Sequence, residues 1–393
     1  MQTKRKIAVV LIDRANYGRL KPVMLEMQKR PEIDLQVVCS GTMLLDRFGM
    51  AKNIVVADGF TIDEEVYTEL EGSVPSTMAQ SIGLGIIQFS NAFQRLKPHF
   101  VLVIGDRYEA MAAAIAAVYQ NICLIHVQGG EVTGSIDEST RHAITKLAHY
   151  HFPATERAGR FVVAMGEDPD TVFPYGCPSA DVVMTANRSI PVEELHRLGV
   201  GPHIDLSRPY LLVIFHPITT EFGESERQMQ EVLWAIKESG IQTILLWPNI
   251  HAGADGVSQA IRRFREVYRD LSLHVYKNFE PEVYIPILER ASCAVGNSSS
   301  FVRDASYLGT PVVLIGTRQD GREWCEAVKR VEPHGSEILN AIRRQSANGR
   351  YKTSNLYGSP GVSKRIVDAF LTLEPYAQKK LGYVNNSEEM SRS

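Results

Sequence analysis

The chain has 393 residues, 44% of them hydrophobic, which is enough to fill two globular cores. Its 42 basic and 45 acidic side chains leave a net charge of −3, which argues against a nucleic-acid or polyanion surface. Five scattered cysteines without a C-x-x-C pair argue against a thiolate zinc site and suit free thiols in a reducing compartment. No apolar stretch is long enough to cross a bilayer, and none follows the basic Lys4-Arg5-Lys6 as a secretory leader would. A cytoplasmic protein with no membrane or nucleic-acid partner is expected.

Residues 7–12 read as a buried strand, followed by Asp13-Arg14-Ala15-Asn16 and a helix over about 19–30. Residues 35–39 form the next strand, and 54–56 suggest a short one. Residues 78–96 carry Ile82, Ile86, Phe89, Phe93 and Leu96 at helical spacing. The apolar run 101–104 predicts a strand ending at Gly105-Asp106-Arg107, then a helix over 109–119. A second buried strand, 122–127, ends at Gln128-Gly129-Gly130-Glu131. Ser135-Ile136-Asp137-Glu138 has the spacing of a capping box, and Asp137 and Arg141 share one face of the helix it opens. A helix over 154–165 and a turn at 174–178 follow.

Prolines, glycines and polar residues cluster over 187–209, where a domain boundary is expected. A second series follows, with strands at 210–215, 243–247, 273–276, 293–295 and 311–315. Helices over 224–238, 257–268, 281–290 and 301–308 lie between or after them. The alternation predicts an α/β fold of two Rossmann-like, doubly wound domains. The expected division is residues 1–187, a linker 188–208, a second domain 209–360, a C-terminal helix within 361–380 and a disordered tail 381–393.

In open parallel sheets, ligands bind beyond the carboxyl ends of the strands. Asp106, Glu131 and Asp137 stand at or just beyond such ends, with Arg107 and Arg141 nearby, and grouped carboxylates of this kind suit acid–base work. Singly, each has a plain alternative as a helix cap or loop charge. Gly296-Asn297-Ser298-Ser299-Ser300 lies between a strand and a helix, which suits a phosphate at the helix start, although a serine N-cap alone has the same pattern. Arg318 and Arg322 after the next strand, and Arg14 after the first, add forked donors for phosphate oxygens. His216 ends another strand and is either a pyrophosphate or acid group or a structural histidine. His149 and His151 have no thiolate or carboxylate neighbours in the sequence and are read as structural. Gly83-Leu84-Gly85 lacks the third glycine of a dinucleotide loop, and no Walker A loop or G-x-S-x-G elbow is present.

Several of these segments together resemble the hydrolysing UDP-N-acetylglucosamine 2-epimerase family. They are Arg14-Ala15 with Tyr17-Gly18, Gly105-Asp106-Arg107, Gly129-Gly130-Glu131, Ile136-Asp137 and the run from Arg141 through His149. His216-Pro217, Pro248-Asn249, Gly296-Asn297-Ser298-Ser299 and Gly316-Thr317-Arg318-Gln319 with Gly321-Arg322 complete the match. The resemblance implies a two-domain glycosyltransferase-B-like fold with the site between domains, and a homodimer or homotetramer. It implies a UDP-sugar substrate and no metal or nicotinamide cofactor. The C2 proton leaves with UDP, and water then adds to yield a free N-acetylmannosamine-type sugar for sialic or legionaminic acid synthesis.

The resemblance makes Asp106 and Asp137 the acid–base candidates and gives the diphosphate to Arg14, His216, Ser298, Ser299, Arg318 and Arg322. Asp304 approaches the ribose. Gln128 stands where the family usually has a catalytic Glu, and an amide cannot shuttle a proton. Either Glu131 or Asp137 assumes that role, or the sugar differs. Asn16 replaces an acidic residue, His251 an Asp, Phe301 a Gly, and Asp304 shortens a Glu. The catalytic candidates are therefore Asp106, Glu131, Asp137, Gln128 and His216. The binding candidates are Arg14, Asn16, Arg107, Arg141, Asn249, Gly296, Asn297, Ser298, Ser299, Asp304, Arg318 and Arg322. The rival readings are a non-hydrolysing 2-epimerase, a glycosyltransferase needing an acceptor, and a nucleotide-sugar-binding protein with little catalysis.

Overall fold

A computed structural model describes residues 4–72, 74–190, 192–248, 253–277 and 279–382. The first half contains strands β1 (Arg5–Leu11), β2 (Ile33–Ser40), β3 (Glu64–Val66), β4 (Phe100–Ile104), β5 (Cys123–Val127) and β6 (Tyr150–Phe152). Its helices are α1 (Arg14–Gln28), α2 (Lys52–Ala57), α3 (Pro75–Leu96), α4 (Tyr108–Val118), α5 (Ile136–Leu147), α6 (Glu156–Ala164) and α7 (Ser179–Thr185). The sheet order is β3-β2-β1-β4-β5-β6, and every pairing is parallel. Alternate residues of β1 face opposite cores: Val9 and Leu11 join one, Ala8 and Val10 the other. Burial on both faces explains why these strands read as unbroken apolar runs.

After α8 (Val192–Leu198) and β7 (Gly199–Val200), the second half repeats the plan. It runs β8 (Tyr210–Ile214), α9 (Ser225–Ser239), β9 (Gln242–Leu246), α10 (Ala254–Val267) and β10 (Leu273–Tyr276). There follow α11 (Pro281–Arg290), β11 (Cys293–Gly296), α12 (Ser299–Leu308), β12 (Val312–Ile315), β13 (Val328–Val331), α13 (Gly335–Asn348) and α14 (Val362–Phe370). The order is β13-β12-β11-β8-β9-β10-β7, parallel except where β7 meets β10. Strand order reverses between β1 and β4 in one sheet and between β8 and β11 in the other. These are the two topological switch points, where a crevice opens between adjacent loops.

Several expectations need correction. Residues 54–56 belong to α2, with Val55 buried and Val56 exposed, so only one face of the segment meets the core. Tertiary packing overrides the strand preference of branched side chains there. The third strand is instead the short edge strand β3, whose Glu64 and Glu65 conceal it from a hydrophobicity reading. Helix α1 begins at Arg14 rather than near Arg19, because the Asp13 carboxylate accepts from the Asn16 N–H at 2.7 Å. Residues 188–208, read as a linker, contain α8 and β7, and β7 pairs into the second sheet. Helix α14 returns to the first half, where Val362, Ile366, Val367 and Phe370 enter its core. The Asp181 carboxylate caps it, accepting from the N–H groups of Gly361 (2.5 Å) and Ser363 (2.7 Å). The tail read as disordered lies outside the described residues from 383 on. Gly85 in α3 serves packing, since a Cβ there would lie 2.9 Å from Ala112 of α4. All five cysteines are free thiols, and no helix among the described residues is long and apolar enough to cross a membrane.

His149 and His151 hold the first half together. The His149 Nδ1 accepts from Leu124 N–H at 3.0 Å, and His151 Nε2 donates to Glu167 at 3.1 Å. Glu167 also meets Lys146 and Lys379, both at 2.5 Å, and Lys379 donates to the last carbonyls of α5. Burial alone would raise the Glu167 carboxyl, but His151, Lys146 and Lys379 outweigh it and hold it at about 2. A depressed carboxyl stabilises the fold above its ordinary pKa and loses that contribution as pH falls through the folded value. Glu167→Gln is expected to cost about 3 kcal/mol at neutral pH. The gap from the parent should close as pH drops from about 4.5 to about 2, read from denaturant midpoints across that range.

Candidate active site

The loops at the two switch points face one another across a cleft of about 290 Å³. The first wall carries Asp13, Arg14 and Asn16 after β1, and Gly105, Asp106 and Arg107 after β4. The second carries His216 after β8 and Ser298, Ser299 and Ser300 after β11. Doubly wound sheets focus their ligands at such paired loops.

On the first wall, buried His126 of β5 steers the Asp106 loop. Burial pushes its imidazole down to about 3, so the ring is neutral. Its Nε2–H donates to the Gly105 carbonyl at 2.8 Å, and its Nδ1 accepts from the Thr145 hydroxyl at 3.1 Å. Asp106, 25% exposed at its side chain, receives the guanidinium of fully buried Arg141. Arg141 also donates to the Glu131 carbonyl at 2.7 Å. Asp137, in the first turn of α5, also faces the cleft. The capping box does not form: the Ser135 hydroxyl donates to Asp137 Oδ2 (3.0 Å), and Glu138 accepts from Thr133 N–H (2.6 Å). Arg107 lies against Glu109, with Nε to Oε2 at 3.0 Å, and stands 3.7 Å from Asp13. Burial opposes its charge, and Glu109 together with Tyr108 and Asp13 outweighs that.

On the second wall, the α12 N-terminus presents Ser298, Ser299 and Ser300, where the helix dipole favours an anion, and the Ser298 hydroxyl accepts from the Ser300 N–H at 3.4 Å. Gly296 and Asn297, read as binding residues, do not line the cleft. Gly296 has φ 141°, and a Cβ there would sit 1.9 Å from the Ile214 carbonyl oxygen, so glycine lets β11 run close to β8. The Asn297 amide is spent on the backbone of His216, accepting from its N–H and donating to its C=O, each at 2.8 Å. Its own carbonyl accepts from Arg318 (3.2 Å) and Gln319 (3.0 Å), which fixes both. Arg318 Nη2 lies 3.7 Å from Asp137 Oδ2, joining the two walls. Asp304 lines the floor, and burial raises its carboxyl to about 6. Leu246, Trp247, Phe279, Tyr284 and Ile285 make one end apolar and aromatic. Asn249 and His251 lie outside the described residues.

Cations dominate this lining. Seven arginines and Lys277 face four aspartates among the described residues. Arg19, Arg303 and Lys277 were not singled out from the sequence. A usable signal existed for Arg303, which follows Ser299 by four residues on one helix and donates to its hydroxyl at 3.4 Å. Arg303 Nε and Arg322 Nε are buried without a hydrogen-bond partner among the described residues. Donors of that kind suit an anionic ligand with several oxygens. No three His, Cys, Asp or Glu side chains among the described residues converge as metal ligands.

A family model described as UDP-N-acetylglucosamine 2-epimerase matches residues 25–371. The chain belongs to the UDP-N-acetylglucosamine 2-epimerase family. It is 33% identical over 374 residues to the UDP-N,N'-diacetylbacillosamine 2-epimerase (hydrolyzing) of Legionella pneumophila, covering 95% of this chain and 97% of that one. It is 26% identical to a Neisseria meningitidis UDP-N-acetylglucosamine 2-epimerase over 90% of each chain. The fold matches a Neisseria meningitidis UDP-GlcNAc 2-epimerase solved with UDP-GlcNAc, at TM-score 0.78 and 19% identity, over 94% of this chain and 100% of that one. The two-domain fold is glycosyltransferase-B-like.

Two catalytic candidates in this epimerase sit away from the cleft lining. Gln128, fully buried at φ 64°, accepts from Arg19 Nη1 at 2.7 Å and donates to Cys177 Sγ at 2.8 Å. It stands behind Arg19 rather than beside a substrate. Glu131 is 4% exposed and clasped by Arg303 at 2.7 Å and Arg322 at 3.0 Å. Burial would raise its carboxyl, but the two guanidiniums hold it below the ordinary range, which unsuits it as a proton donor. Gln128→Glu is expected to pair with Arg19 and leave epimerase turnover no faster. A faster variant with a new acidic limb in its pH–rate profile would mean that the side chain reaches the cleft.

Proposed function

We propose that this epimerase hydrolyses UDP-linked 2-acetamido sugars, releasing UDP and a free, C2-inverted sugar of the N-acetylmannosamine type. One juxtaposition carries the reading: Asp137 of the acidic wall lies 3.7 Å from Arg318 of the arginine wall. Proton-transfer groups and a diphosphate seat therefore share one small volume. The aromatic end of the cleft, with Trp247 and Phe279, suits a planar base. Asp304 suits the ribose hydroxyls.

In the first half-reaction, Asp106 or Asp137 takes the C2 proton as the bond from C1 to the diphosphate oxygen breaks. The C–H electron pair becomes the C1–C2 double bond, and UDP departs with the bonding pair. Negative charge grows on the leaving phosphate, where Ser298, Ser299, Arg318 and Arg322 stabilise it. In the second, the C1–C2 double-bond pair takes a proton at C2 from the other, protonated carboxyl on the opposite face. The oxygen of water bonds to C1, its spare proton passes back to that carboxylate, and the first carboxyl releases the original C2 proton to solvent. Arg141 orients Asp106 throughout, and Arg14 and His216 add donors to the phosphates.

Support for the hydrolysing outcome comes from the Legionella relative and from a Campylobacter jejuni relative, 28% identical and named a GDP/UDP-N,N'-diacetylbacillosamine 2-epimerase (hydrolyzing). The apolar contacts of Phe48 and Ala51 on the first wall suit a sugar with extra methyl groups. Proton NMR in heavy water, with UDP-GlcNAc and UDP-N,N'-diacetylbacillosamine, tests the reading. Free sugar with deuterium at C2, together with UDP, is expected. UDP-ManNAc as the sole product would make the enzyme non-hydrolysing. Binding with no turnover of either would make it a binding protein. Asp106→Asn is expected to reduce turnover about a thousandfold or more while UDP affinity, by calorimetry, shifts less than about threefold.

A further inference from the structure

Glu131 is a first-half carboxylate that reaches through the seam to two arginines of the second half. It leaves the loop after β5, and its Oε2 lies 2.7 Å from Arg303 Nη2 and 3.0 Å from Arg322 Nη1. Those arginines come from separate places, α12 and the loop after β12, and both line the cleft. Each is at most 5% exposed at its side chain. Two guanidiniums that close repel one another, and in a buried setting the repulsion is screened little. One shared carboxylate lets them stand side by side while a net positive charge remains for the ligand.

The backbone of the same residue serves the other wall. Its carbonyl accepts from Arg141 at 2.7 Å, and Arg141 in turn holds Asp106. The loop beyond it closes on the second half by main chain. Gly134 N–H donates to the Arg318 carbonyl at 3.2 Å, and a Cβ on Gly134 would lie 2.0 Å from the Thr317 carbonyl oxygen. We propose that Glu131 is a positioning residue whose carboxylate clasps Arg303 and Arg322, so that closing the two halves sets the arginine pair that receives a diphosphate. The inference rests on the diphosphate reading of the cleft. It assigns Glu131 no proton transfer.

Charge and position predict opposite signs, which makes the proposal testable. Glu131→Gln removes a negative charge from beside the cleft, so charge alone would tighten UDP binding. Loss of the clasp loosens it. The full-length chain is compared with Glu131→Gln and Glu131→Asp by UDP calorimetry, steady-state kinetics across pH, and small-angle scattering with and without UDP. The Gln variant is expected to bind UDP about tenfold more weakly. KM should rise in step, kcat should change less than about threefold, and the limbs of the pH profile should stay in place. The ligand-free radius of gyration should increase. Glu131→Asp, which keeps the charge, should recover part of the affinity, and it carries the comparison if the Gln variant does not fold. Unchanged or tighter UDP binding would overturn the proposal. So would kcat lost at saturation with UDP affinity intact, the mark of a proton-transfer group. If the parent protein turns over no sugar nucleotide, the catalytic reading fails, and UDP affinity and scattering still judge the clasp.

Discussion

Guanidinium groups from Arg14, Arg19, Arg107, Arg141, Arg303, Arg318 and Arg322 line one cleft, and desolvation works against the charge of every one. Such groups stay together only when anions stand among them. The protein supplies some: Glu109 for Arg107, Asp106 for Arg141, Glu131 for Arg303 and Arg322. The remainder leaves the cleft electropositive, which suits a diphosphate. That excess also favours the bond-breaking step of the proposed reaction, because the departing group gains negative charge where the arginines and the α12 N-terminus already point.

The fold is what makes the concentration of charge possible. Each half reverses its strand order once, and each reversal opens a gap between two loops. The gaps face each other, so four short loops deliver the acids and the cations to one volume. Backbone approach at two glycines brings the pieces close enough. Gly296 lets β11 lie against β8, and Gly134 lets the α5 loop touch the loop after β12. A side chain at Gly134 would strike the Thr317 carbonyl oxygen, across the seam that Asp137 and Arg318 span at 3.7 Å, and one at Gly296 would strike the Ile214 carbonyl oxygen within the second sheet. Helix α14 then returns to the first core, so the chain crosses between halves a second time.

Polar residues of the site divide into those that face the cleft and those that set the facing ones. Asn297 spends its amide on the His216 backbone and its carbonyl on Arg318 and Gln319. His126, held neutral by burial, fixes the Gly105 carbonyl before Asp106. Gln128 engages Arg19 from behind. The sequence groups Asn297 and Gln128 with ligand contacts because they are close in the chain to residues that line the cleft. Their geometry makes them supports.

Alternation of apolar runs with helical spacing was sufficient to determine the α/β class, most strand and helix positions, and the strand ends where Asp106, His216 and Ser298 stand. Those properties depend on local periodicity and on the rule that open parallel sheets bind ligands at strand ends. Short elements escaped it. Edge strand β3 is polar, and α2 is a six-residue helix that contains three branched residues, of which Val55 is buried. Which carboxylate faces the cleft was decided only by tertiary structure. Asp137 and Glu131 are six residues apart and equally acidic in sequence, yet one opens onto the cleft and the other is closed off between Arg303 and Arg322. Those arginines lie some 170 to 190 positions further along the chain, and the field they impose on Glu131 exists only after the two halves have met.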